Sequence, residues 1–138
     1  MTLTLNALPI TAAVCMLISL ALAWLASLII YARMEVLQKI FVAPHQLVRA
    51  HIDYLLMALL LILSFYLAER FELALPVGVI ALLCIGALYN PLGFIALAVQ
   101  PALARPQTTA ATLRILFGFL PATLGFGYVM VVLLLALL

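Results

Sequence analysis

Arg49-Ala50-His51-Ile52-Asp53-Tyr54 sets a guanidinium, an imidazole, a carboxylate and a phenol within six residues of a 138-residue chain that is 70% hydrophobic and 7% charged. Such groups can ligate a metal, move a proton or hold an anion. Helical geometry divides them. His45, Arg49 and Asp53 recur every four residues on one stripe, where Arg49 and Asp53 are spaced to pair. His51 falls on another face, with Leu47, Tyr54, Leu55 and Ala58. A neutral imidazole on an apolar helix face is a good ligand for haem iron or another transition metal. The plainer alternative is an interfacial histidine bonded to a carbonyl or headgroup, beside an Arg49/Asp53 salt bridge that anchors the helix end.

A second polar stretch, Tyr89-Asn90-Pro91-Leu92-Gly93-Phe94, interrupts an apolar run. Pro91 removes a backbone donor and frees the carbonyl one turn earlier, near Ala87. Asn90 either joins a site with His51, Tyr54 and Tyr89 or only repairs the proline kink, with Tyr89 in the interfacial aromatic belt. Gly86 and Gly93 are seven residues apart, as are Gly118 and Gly125, a spacing that lets helices or a flat macrocycle approach closely. There is no Cys/His metal cage, Gly-rich phosphate loop or nucleophile elbow. With His45 and His51 as the two histidines, a single axial ligand fits a haem better than a bis-histidine pair and leaves the sixth iron position open.

These groups must be positioned by membrane helices. The mean hydropathy is +1.44, and apolar stretches cover about 9–32, 44–68, 73–99 and 114–138, each long enough for a hydrocarbon layer of roughly 30 Å. The expected fold is therefore all-α, a single integral-membrane four-helix bundle over residues 1–138 with kinks at Pro91 and Pro121. Met1 to Ile10 lacks the basic residues of a secretory signal, so the first span is read as retained. Cys15 and Cys84 lie inside apolar spans and read as small buried hydrophobes. The connection Met34 to Val42 has apolar residues near helical spacing and is read either as a helix along the membrane surface or as a solvated turn.

The first connection carries Arg33, Lys39 and Arg49, the second Arg70, and the third Arg105 and Arg114. The first and third share one side, so the positive-inside rule makes that side cytoplasmic and puts both termini outside. A net charge of +2 is too small to suggest nucleic acid. Partners are instead membrane lipid and, in so small a bundle, further copies of the chain.

Between Asp53 and Glu69 lie fifteen uncharged residues, roughly 22 Å of helix, which is short of the membrane core. The second span must draw its charged first turns inward, placing His51 and Asp53 at or just below the inner interface. His51 precedes Glu69 by eighteen residues and Asn90 follows Glu72 by eighteen. Both then sit roughly 27 Å from the outer face, level on antiparallel neighbours.

Arg49-Ala50-His51 opening the second helix, Asn90-x-x-Gly93-Phe94 in the third, and Pro121-Ala122-x-Leu124-Gly125-Phe126-Gly127 in the fourth resemble styrene oxide isomerase over the last two thirds of the chain. The resemblance implies a homotrimer in the bacterial inner membrane with haem b between subunits. It makes His51 the iron ligand, Arg49 a propionate partner and Gly93 part of the cofactor site. Ferric haem in that family acts as a Lewis acid on an apolar epoxide, and ring opening with a 1,2 shift gives an aldehyde. Two positions depart from the pattern: Met57 stands where the family has asparagine, and Ile95 where it has tyrosine. Tyr54, Tyr89 and Asn90 are the groups available to take over catalytic roles. A non-catalytic haem protein, serving as sensor or electron carrier, and a haem-free structural or transport-associated bundle are the alternatives.

Overall fold

The computed structural model describes residues 5–105 and 108–138. The first four residues of the amino-terminal segment and the Arg114 side chain, both used above, lie outside the described residues. Among those described, helices α1 (Ala7–Ile30), α2 (Glu35–Ile40), α3 (His45–Arg70), α4 (Val77–Tyr89), α5 (Leu92–Val99) and α6 (Thr109–Leu137) account for the regular structure, with a 3-10 turn at Pro101–Ala104. Four spans, Ala7–Ile30, His45–Arg70, Val77–Val99 and Ile115–Leu137, are long and apolar enough to cross a membrane. The chain is an all-helical, multi-pass membrane protein.

Proline and turn chemistry set most helix ends. Pro44 and Pro76 precede α3 and α4, where a missing N–H costs no helical bond. Helix α3 closes with the Leu73 amide on the Ala68 carbonyl at 2.9 Å and the Glu72 amide on Glu69 at 3.4 Å. Glu72 turns through the left-handed region at φ 50°, completing a Schellman closure. Pro91 ends α4 and starts α5, dividing the third span into two helices. At Pro121 α6 runs through as one helix; a proline removes one bond, and the flanking apolar turns continue the ladder. Residues 35–40 form the short helix α2, with no buried residue.

The main packing pairs are α1 with α3 and α4 with α6, joined by α3 against α5 and α1 against α4. Leu8, Cys15, Leu47, Tyr54, Leu61, Leu83 and Val129 form the dry interior, while Trp24, Leu59, Phe117 and Leu135 face outward. Large apolar groups on the outside suit a protein solvated by lipid. At the α4/α6 contact, a methyl on Gly86 would run into the Ala122 backbone, and one on Gly125 would come within 3.1 Å of the Leu83 side chain. These two glycines set how closely the helices approach.

Candidate functional site

The Arg49 to Tyr54 cluster opens toward three neighbours. His51 turns to α1, where its Nδ1 lies 2.9 Å from the Ser19 carbonyl and 2.8 Å from Ser19 Oγ. Ser19 Oγ in turn donates to the His51 carbonyl at 2.9 Å. A carbonyl only accepts, so the contact with Ser19 O suits a proton on Nδ1. Nε2 then keeps its lone pair, and among the described residues it makes no hydrogen bond. Ser19 is fully buried and His51 half-buried.

Register places this contact far from any helix end of α1. Ser19 stands twelve residues after Ala7 and eleven before Ile30, roughly 18 Å and 16 Å. His51 therefore lies opposite the middle of a helix without a charged residue.

Arg49 and Asp53 do not pair, contrary to their spacing; among the described residues Arg49 forms no ion pair, and its guanidinium lies 5.4 Å over the Phe94 ring of α5. Asp53 accepts from Asn90 Nδ2 at 3.3 Å. The i,i+4 contact loses because the two groups find partners in the broken third span, the Phe94 ring of α5 for Arg49 and the Asn90 amide at the end of α4 for Asp53. Asn90 Oδ1 is buried without a hydrogen-bond partner.

Tyr54 is 1% exposed and donates to the Leu88 carbonyl at 2.9 Å. Beside it, the Cys15 thiol reaches the Ala87 carbonyl at 3.8 Å, the group that Pro91 deprives of its helical donor. The break in the third span is thus sealed by side chains from α1 and α3. Both cysteines are free thiols.

Tyr89, Asn90, Gly93, Phe94, Gly118 and Phe119 contribute to the wall of an apolar cavity of about 490 Å³ between the α4/α5 break and α6. A side chain at Gly93 would meet nothing within 4 Å, and the nearest group to Gly118 is the Tyr89 ring at 3.7 Å. Each seven-residue glycine pair therefore divides, one member allowing helix contact and the other leaving cavity space.

Of the residues singled out in the sequence, the fold brings together Tyr89, Asn90 and Gly93 at the cavity, with Arg49 bound through Phe94 at its edge. It does not gather His51, Tyr54, Tyr89 and Asn90 into one site within a chain. His51 lies roughly 160° around α3 from Asp53, so Asp53, not His51, meets Asn90. Ser19 carried no spacing signal, though a polar residue midway along an apolar span ordinarily has a partner on another helix. Comparison with protein-family models, with curated proteins and with solved structures finds no match.

Proposed function

We propose that the protein is a haem-b-dependent membrane isomerase resembling styrene oxide isomerase, which rearranges an apolar epoxide drawn from the bilayer into a carbonyl compound. It would act as a homotrimer in the bacterial inner membrane, with both termini outside. The observation that carries this reading is the presentation of His51. Its Nδ1 is held by Ser19 and its Nε2 makes no hydrogen bond among the described residues, the arrangement that a metal-binding imidazole uses. An ionisable group opposite the middle of an apolar span is costly and marks a functional position. The donor chemistry thus fits a group that takes one histidine nitrogen.

When bound, ferric haem supplies a Lewis acid toward an epoxide oxygen without net redox change. His51 would hold the group, and Arg49, bearing no carboxylate partner among the described residues, would take an anionic substituent such as a propionate. The apolar cavity, which does not include His51 of the same chain, would receive the substrate where a neighbouring copy brings it to the iron ligand. Tyr89 is half exposed at its wall and keeps an uncommitted phenol for orienting an epoxide oxygen. The Tyr54 phenol and the Asn90 Nδ2 already have partners, while Asn90 Oδ1 has none among the described residues. Those commitments, with Met57 and Ile95, favour a second reading: a haem-binding sensor or electron carrier without isomerase activity.

The purified protein, reduced with dithionite, is expected to show a Soret band that His51→Ala abolishes. No band in the wild type, and no effect of the substitution, would sink both haem readings and leave a structural bundle. Bound haem with a panel of aryl and alkyl epoxides unchanged would select the non-catalytic reading.

A further inference from the structure

We infer that Ser19 is a positioning residue for His51, fixing the ring in its Nδ1-protonated tautomer so that Nε2 is the atom offered to a metal. The inference concerns the imidazole itself; its consequence for metal affinity rests on the haem reading. Three polar contacts between two residues lock α1 to α3: Nδ1 to the Ser19 carbonyl, Nδ1 to Ser19 Oγ, and Ser19 Oγ to the His51 carbonyl. The hydroxyl has one proton, and donating it to the His51 carbonyl leaves its lone pairs facing Nδ1. The ring is therefore offered two acceptors and no donor on that side. An Nε2-protonated ring would set a bare Nδ1 lone pair against the Ser19 carbonyl beside a fully buried Ser19, which burial makes unfavourable.

Each end of the device needs the other. Among the described residues Ser19 makes no side-chain hydrogen bond except with His51, and no other side chain hydrogen-bonds the His51 ring. A hydroxyl is required, because alanine would keep the backbone carbonyl but lose the second acceptor and the link that fixes the ring plane. Threonine carries the same oxygen on the same carbon and should serve.

The test uses the full chain without haem, labelled with ¹⁵N histidine and reconstituted in liposomes; His45→Gln assigns the second histidine. Wild type and Ser19→Thr are expected to show His51 as one tautomer with the proton on Nδ1, and Ser19→Ala a mixture of both. A wild-type ring protonated on Nε2, or identical tautomers in wild type and Ser19→Ala, overturns the inference whether or not haem binds. Titration with ferric protoporphyrin, read at the Soret band, should then show affinity falling roughly tenfold in Ser19→Ala, the lower end of the effect of removing a ligand's supporting hydrogen bond. Ser19→Thr should stay near wild type. Should Ser19→Ala fail to fold, a wild-type ring protonated on Nε2 still overturns the claim.

Discussion

Tyr54 donates its hydroxyl to the Leu88 carbonyl and is sealed from solvent, so its first task is to satisfy the backbone where Pro91 breaks the third span. Tyr54→Phe is expected to lower stability by about 1 kcal/mol, the usual scale of an interhelical hydrogen bond in a membrane, without changing haem affinity. Thermal unfolding in detergent and the Soret titration measure the two separately; lost haem with unchanged stability would make Tyr54 part of the cofactor site, against this expectation. Residue spacing on α3 was enough to separate the Arg49/Asp53 stripe from the His51 face. It could not show what each face meets. An i,i+4 pair is permitted by helix geometry but not compelled, and Phe94 and Asn90 compete from an element more than thirty-five residues away. Ser19 was hidden for a related reason: a lone serine in an apolar span reveals its role only when the partner helix is in place.

At the scale of helices, the two glycine pairs make opposite demands. Gly86→Leu should force α4 away from α6, since even a methyl there would strike the Ala122 backbone, and a cost of about 2 kcal/mol or more follows from overpacking. Gly93→Ala, with open space at that point, should leave stability within about 0.5 kcal/mol of wild type. Equal thermal shifts for the two variants would contradict this packing. Apolar length made the four spans legible to within a few residues, as in His45–Arg70 against the expected 44–68, because hydrocarbon thickness is a strict external measure. The effects of the two prolines were not separable from sequence. Pro91 divides its span and Pro121 does not, a difference that depends on Tyr54 and Cys15 being at hand to cap the carbonyls beside Pro91.

For the molecule as a whole, the helices are not flush. The Cys84 thiol, seven residues into α4, meets the carbonyl of Ala7 at the very start of α1 at 3.7 Å, so α1 begins roughly 10 Å further along the bundle than α4. This offset brings the apolar lower half of α1 beside the turns of α3 that carry Arg49, His51 and Asp53. No hydropathy count could reveal it, because each span is individually long enough for a bilayer. The 24 uncharged residues of α1 and the fifteen between Asp53 and Glu69 on α3 present a long and a short hydrophobic length side by side, and a bilayer can match only a compromise between them. Unfolding temperature should therefore peak at intermediate acyl length across phosphatidylcholine vesicles running from myristoyl to erucoyl chains. The decline should be steeper in the thick lipids, which submerge Arg49 and Asp53, and Asp53→Asn should flatten that limb. A profile insensitive to chain length would contradict this mismatch. In a living membrane the same geometry would make the protein responsive to lipid remodelling, with acyl chain length tuning how deeply its ionisable layer is immersed.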